Sequence, residues 1–144
     1  MRFWLPVLVA IAVLPASAHH PTAPYYDASR PSTITGQITE LRAVNPHVVV
    51  IVEGTSPDGR FGRWAFEGLA PNALVRQGHK DYRDKLKAGT KITITGWPAK
   101  DPQARAFSGG TITFADGTMM IFGTTPNDNW QCVSPCQYTY PAVP

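Results

Sequence analysis

Segments in which apolar and polar residues alternate restrict this chain to a β fold more firmly than any other feature. Alternation with a period of two is typical of strands that bury one face. Residues 33–44, 63–67 and 91–97 alternate in this way, the β-branched run 48–52 predicts a further strand, and residues 106–114 and 118–122 predict two more. In the first segment, Ile34, Ile38 and Leu41 mark the side predicted to be buried. Leu41 is out of step with the two isoleucines by one residue, and a β-bulge can absorb such a slip.

Turn and helix signals divide these segments. Asn45-Pro46 ends the first strand, because proline cannot donate a hydrogen bond to a ladder. The sequence Ser-Pro-Asp-Gly at 56–59 predicts a hairpin, and Asp116-Gly117 predicts a second hairpin with a two-residue loop. Between the third and fourth strands, residues 70–76 read as a short helix that ends at Gln77-Gly78, and residues 82–86 read as one further helical turn.

The order of these elements predicts an all-β fold: three strands, a short helical segment, and two or three further strands. This is the chain order of the oligomer-binding (OB) barrel, a small five-stranded, partly open Greek-key β-barrel. Gly36, inside the long first strand, fits the coiling that lets one strand serve both sheets. A β-sandwich stays open as an alternative, since periodicity does not decide whether a sheet closes.

The first 18 residues read as a secretory signal peptide. Arg2 is followed by an apolar stretch that is too short to span a bilayer, and Ala16-Ser17-Ala18 has the small-residue pattern of a cleavage site. We expect a periplasmic or secreted protein with no membrane span, whose mature chain begins at His19. In that chain, 19–32 is an extended segment, 33–122 the barrel, and 123–144 an irregular tail rich in proline and aromatic residues.

Charge and motifs exclude several function classes. The 13 Lys and Arg residues outnumber the 10 Asp and Glu residues only slightly, and they are spread along the chain, so we expect no nucleic-acid partner. No G-x-S-x-G, H-E-x-x-H or phosphate-loop motif is found. A lone carboxylate such as Glu67 is not an acid–base pair. The sequence therefore favours a binding protein over an enzyme.

An ordered set of short motifs resembles a known family. The set is Ala18-His19-His20, Tyr26-Asp27, Thr35-Gly36, Asn45-Pro46-His47, Trp64-Ala65-Phe66-Glu67, Pro71-Asn72-Ala73-Leu74 with Arg76 and Gly78, and Gly96. It is similar to a family of small exported bacterial proteins known only as a domain of unknown function, over His19 to about Phe122. The resemblance implies an exported, barrel-like domain and no particular activity. Val48 replaces the aromatic residue common after the NPH motif, and the cysteine-bearing tail is an addition.

His19 carries the leading functional hypothesis, which is Cu(II) binding. A mature N-terminal histidine offers its α-amino nitrogen and an imidazole nitrogen, and one further imidazole completes a three-nitrogen site suited to Cu(II). His47, held behind Pro46, or His20 can supply that nitrogen. His20 also permits a chelate of the amino group, the deprotonated amide and its own imidazole. The alternatives are that this terminus carries arbitrary polar residues, and that His47 is a partly buried imidazole bonded to a backbone carbonyl.

Cys132 and Cys136 predict a disulfide, which is the default for two cysteines outside the cytoplasm. This disulfide would constrain the tail and would not stabilise the barrel. A copper or redox pair is the competing interpretation, although the chain lacks the alternating helices of the thioredoxin-like class.

Aromatic residues lie within or beside the strands, and core packing is the first interpretation for them. A possible binding face of Trp64, Glu67 and Trp97 is the other. It supports the alternative function, an interaction module that binds a protein or a glycan without metal.

Overall fold

The computed structural model describes residues 25–101 and 103–124, which form six strands and two short helices. In chain order these are β1 (Ser32–Ala43), β2 (Val48–Thr55), β3 (Phe61–Glu67), α1 (Pro71–Arg76), α2 (Tyr82–Lys85), β4 (Lys91–Pro98), β5 (Ala106–Phe114) and β6 (Met119–Ile121). The alternating segments thus all form strands. His19, His20, Cys132 and Cys136 lie outside the described residues.

The β2–β3 hairpin is longer than the sequence predicts, because its loop is tight. The amide of Ser56 donates to the carbonyl of Arg60 at 3.0 Å, and the amide of Gly59 donates back to the carbonyl of Ser56 at 2.9 Å. Gly59 has a φ of 81°, which glycine adopts without strain. Only three residues are therefore needed for the turn, and β2 continues to Thr55 while β3 begins at Phe61.

The β5–β6 hairpin has the same construction, and the predicted two-residue loop is wrong by one residue. The amide of Phe114 donates to the carbonyl of Thr118 at 2.9 Å, so that Ala115, Asp116 and Gly117 all belong to the loop. Gly117, with a φ of 83°, is the third loop residue. A type I turn followed by a left-handed residue is the usual three-residue hairpin loop, and Asp-Gly suits it as well as it suits the two-residue form.

The six strands form one sheet that closes into a barrel of five. Their order is β3-β2-β1-β4-β5-β6, and the sheet closes where β3 pairs in parallel with β5 through Ala65–Ala106 and Glu67–Ser108. This closure decides between the barrel and the sandwich, and the predicted small barrel with a short helical segment between its third and fourth strands is confirmed. β6 extends β5 outside the closed ring.

Gly36 lies at the point where β1 belongs to both halves of the barrel. It pairs with Gly54 of β2 on one side and with Ile92 of β4 on the other. A Cβ at position 36 would lie 2.6 Å from the Gly54 Cα and still closer to the Glu53 carbonyl oxygen. No side chain fits there, so the predicted role of this glycine in coiling the first strand agrees with the structure.

The slip in the alternation of β1 is a β-bulge. The register with β2 shifts between Ile38 and Glu40, and the Thr39 hydroxyl donates to the Ile51 carbonyl at 3.2 Å. The extra residue returns Leu41 to the side that packs against the core.

The helical segment completes the core. Leu74 of α1, together with Tyr82 and Leu86 around α2, joins the inward-facing residues of the strands. α1 ends as predicted: Gly78 has a φ of 93°, and the His79 amide donates to the Leu74 carbonyl at 3.0 Å, in the pattern of a Schellman cap. In the described ranges, neither helix is long and apolar enough to cross a membrane.

Candidate functional site

His47 stands at the start of β2, beside the end of β3. It follows the Asn45–Pro46 peptide bond, which is cis. The next residue, Val48, is tied by its backbone in both directions: its amide donates to the Leu69 carbonyl at 2.9 Å, and its carbonyl accepts from the Gly68 amide at 2.7 Å. These two bonds hold the β1–β2 loop against the chain that leaves β3, and they place the imidazole beside Glu67 and Gly68.

The His47 ring is oriented by its Nδ1 atom. Nδ1 lies 3.1 Å from the Gly68 carbonyl oxygen, and because a carbonyl can only accept, Nδ1 carries the hydrogen and donates it. In the neutral ring the lone pair is then on Nε2. Metal-binding histidines are commonly oriented in this way, by a hydrogen bond from the nitrogen that does not bind the metal. The predicted bond from His47 to a backbone carbonyl is therefore present, and it leaves Nε2 open for a ligand role.

Glu67 faces the open nitrogen of His47. Its Oε1 lies 3.6 Å from Nε2, which is too far for a good hydrogen bond. The two side chains are 40% and 35% exposed, so both can be reached from solvent. Nε2 and Oε1 are both acceptors and can bind one cation between them. Metal–nitrogen and metal–oxygen bonds of about 2 Å each add up to more than the 3.6 Å between the two atoms, so both bonds can form at once.

Tyr26 fixes the second oxygen of Glu67. Its hydroxyl donates to Oε2 at 2.9 Å, across a sequence separation of 41 residues. Burial raises the pKa of Tyr26 above its usual value, and the negative charge of Glu67 raises it further. Tyr26 therefore stays protonated and keeps donating at neutral pH, which leaves Oε1 as the free oxygen of the carboxylate.

The segment around Tyr26 is itself attached to the barrel. The Asp27 amide donates to the Pro98 carbonyl at 2.9 Å, and the Tyr25 carbonyl accepts from the Lys100 amide at 2.9 Å. Hydrogen bonds from Ser29 and Arg30 to the Asp27 carboxylate lower its pKa to about 2. The chain that leads from the N-terminus is thus tied down at Tyr26, beside His47.

The other predicted residues are distributed differently. Trp64 and Trp97 are each 6% exposed, so core packing is their role, and they do not form an exposed stacking face with Glu67. The Trp64 indole donates to the Gly54 carbonyl at 3.1 Å inside the barrel. Their burial agrees with core packing, the first interpretation given for the aromatic residues of the strands.

The described residues hold no group of three or more His, Cys, Asp and Glu side chains that could surround a metal ion. His47 and Glu67 are only two such side chains. Their predicted partners His19 and His20 lie outside the described residues. So does the predicted disulfide of Cys132 and Cys136. Tyr26 and Glu67 were not predicted as partners. No local signal links them, since 41 residues separate them.

A second feature that sequence reasoning missed is a groove of about 540 Å³ on the outer surface. Its lining comes from the middle of β1, the end of β2, the start of β3 and β4, and the end of β5. Along β3 it begins at Phe61, six residues from Glu67 and hence about 20 Å away. The signal that was available is the sequence Thr-Ile-Thr, which occurs at 33–35, 93–95 and 111–113.

Comparison with known proteins shows the family and no more. No curated protein and no solved structure matches the chain. One family model matches residues 7–108, about 70% of the chain, and its description is a family of unknown function (DUF6152). The residues that carry the resemblance seen in the sequence lie in this range, and so do Tyr26, His47 and Glu67. The chain belongs to this family of unknown function, DUF6152.

Proposed function

We propose that the protein is an exported, non-enzymatic Cu(II)-binding protein whose site combines His47 with the N-terminal His19. The proposal takes residues 1–18 as a signal peptide, so that the mature chain begins at His19 in the periplasm or outside the cell. Its support is the orientation of His47: Nδ1 is committed to the Gly68 carbonyl, and Nε2 faces Glu67 Oε1 at 3.6 Å. His19 adds an imidazole and an α-amino nitrogen, and His20 is the alternative source of an imidazole.

The attachment of Tyr26 supports the same site. Six residues lie between His19 and Tyr26, and the seven Cα–Cα steps of an extended chain span at most about 25 Å. The hydroxyl of Tyr26 reaches Glu67, which is the neighbour of His47. A terminus tethered at this point can reach the His47 imidazole without any change in the barrel. Nitrogen ligands with one carboxylate oxygen match the preference of Cu(II) for N and O donors.

The binding chemistry depends on pH through the α-amino group. This group has a pKa of about 8, so at neutral pH copper competes with a small proton load, and affinity falls as the solution is acidified.

The experiment is a copper titration of protein that begins at residue 19. His47→Ala should lower the Cu(II) affinity by more than about 100-fold, because loss of an outer-shell partner alone costs 10–100-fold. His79→Ala is the matched control, since His79 lies in the loop between α1 and α2, and it should bind as the unaltered protein does. Electron paramagnetic resonance should show nitrogen ligands that decrease by one in His47→Ala.

Two further samples make the test decisive. Protein with an extra residue before His19 should lose the α-amino ligand and bind copper more weakly. A peptide of residues 19–24 should bind less tightly than the protein. Equal affinity of this peptide and the protein would show that the barrel contributes no ligand, and the proposal would be wrong.

A further inference from the structure

The groove at the other end of β3 has the composition of a binding site, and nothing in the copper site uses it. Its volume, about 540 Å³, is within the usual range for small-molecule sites. One wall is Phe61, whose side chain is 65% exposed although it belongs to a strand. An aromatic ring held by a rigid hairpin and left uncovered is a platform for stacking.

A row of polar side chains crosses the groove beside this ring. Gln37 of β1 pairs with Glu53 of β2 on one side and with Lys91 of β4 on the other, so neighbours in the row are about 5 Å apart. All three are exposed. Within the described residues, none of these three side chains forms a hydrogen bond or an ion pair. The row therefore offers an acceptor, an amide and a donor in fixed order.

A second row lies one step along the strands and is made of threonines. Thr35 of β1 lies between Thr55 of β2 and Thr93 of β4, and Thr93 in turn pairs with Thr113 of β5. The Thr35 and Thr93 hydroxyls are 3.1 Å apart and hydrogen-bonded. This bond orients the Thr35 and Thr93 side chains, and all four threonines line the groove.

The charges and the topology restrict the ligand. Glu53 and Lys91 balance each other, so the groove carries no excess charge for a phosphate or a nucleic acid. The strands that form its floor, β1, β2 and β4, each have a hydrogen-bonded neighbour on both sides, so a peptide cannot add as a further strand. A ligand must be recognised by side chains alone. It needs one apolar face for Phe61 and many hydroxyls for the polar rows.

We propose that this groove binds a neutral oligosaccharide. One pyranose ring stacks on Phe61, which lies opposite Thr55, and hydroxyls of the following rings bond in turn to Glu53, Gln37 and Lys91. A pyranose has a face of C–H groups that suits the negative face of an aromatic ring, and an equatorial rim of hydroxyls that both donate and accept. The site is independent of copper. It shares the end of β2 and the start of β3 with the face that OB barrels generally use for oligomers, but it extends over β1 and β4 and uses neither the β1–β2 nor the β4–β5 loop.

The test is a titration of ¹⁵N-labelled protein, without added metal, with cellohexaose, chitohexaose and maltohexaose in turn. At least one of them should shift the amide resonances of Thr35, Gln37 and Thr93 along a saturable curve and leave His47 unmoved. Phe61→Ala should weaken this binding by about tenfold or more, equivalent to ~1.4 kcal/mol. Tyr25→Ala is the matched control, because Tyr25 is 68% exposed and lies outside the groove.

The outcomes separate the alternatives. Because Phe61 is exposed, its replacement should leave the circular dichroism spectrum unchanged, and Gln37→Ala gives a second variant that should also bind weakly. Absence of saturable shifts with all three sugars would overturn the proposal, and so would undiminished binding by Phe61→Ala. Shifts of the same amides by tri-alanine but by no sugar would make the groove a peptide site, which is the opposite of the expectation.

Discussion

At the scale of single residues, Tyr26 links the N-terminal segment to the candidate site and gives the protein a pH-dependent bond. Its pKa is raised in the folded state by burial and by the charge of Glu67. The hydroxyl favours its neutral form more strongly in the folded protein than in the unfolded chain. The stability that this provides is complete below pH 10, the usual tyrosine value, and it is lost as the pH rises through the higher folded value.

Replacement of Tyr26 by Phe should therefore have a stability cost that is constant below pH 10 and decreases as the pH rises above 10. Since Tyr26 is half-buried, the lost bond to a carboxylate should cost on the order of 1 kcal/mol of unfolding free energy. Urea denaturation from pH 7 to pH 12 measures it, with Tyr25→Phe as the control. A difference from the unaltered protein that stayed constant above pH 10 would contradict the assigned pKa shift.

Tyr26 also shows which part of the candidate site could not be predicted from the sequence. Trp64 and Glu67 lie three residues apart and hence on opposite sides of β3, so strand alternation already argued against a shared binding face of the two. The bond from Tyr26 to Glu67 depends on how the chain before β1 runs along the end of β4. That path has no local pattern, so the copper ligands could be proposed from the sequence while their arrangement could not.

At the scale of elements, the observed bounds of the strands lie close to those predicted from the sequence, whereas the lengths of the hairpin loops differ from the prediction. The bounds of β5 are those predicted, whereas β2 and β3 gain residues because a three-residue loop joins them. Loop length was ambiguous in the sequence, since the same turn residues serve loops of two or three residues. The groove was missed for a related reason: its two polar rows exist only once the register of β1 with β2 and β4 is known.

Within the strands, Gly36 is the position at which one added methyl group should lower the unfolding free energy most. In Gly36→Ala, the Cβ would lie 2.6 Å from the Gly54 Cα, and backbone atoms cannot yield as a flexible side chain does. The strands would have to separate, at a cost of about 3 kcal/mol, typical of overpacking. Thermal and urea unfolding measure this cost.

Gly117→Ala is the appropriate comparison. A Cβ at position 117 meets no atom within 4 Å, and only its φ of 83° opposes a side chain. We expect it to cost about 1 kcal/mol, the usual value for the left-handed conformation. If the two variants were equally stable, close approach of strands would not be the reason for glycine at position 36.

At the scale of the whole molecule, the described residues form a closed barrel with two separate proposed binding surfaces. The parallel pairing of β3 with β5 closes the ring, and Phe122, which is fully buried, covers Gly68 and Gly109 near that closure. The core cluster draws on every strand and on the helical segment, all of which lie within residues 25–124. The proposed copper site, beside Glu67, and the groove, at Phe61, lie at opposite ends of β3.

This arrangement predicts that a fragment of residues 25–124 separates the two proposed activities. The fragment should unfold cooperatively, because the ring and its core lie within it. It should retain saccharide binding at Phe61 with affinity unchanged, and it should bind Cu(II) more weakly than the chain that begins at His19, since it keeps His47 and Glu67 alone. Calorimetric melting and the two titrations measure the three properties on the same sample. A fragment that melts without cooperativity would show that the terminal residues are part of the barrel, and a fragment that bound copper as tightly as the longer chain would remove His19 from the site.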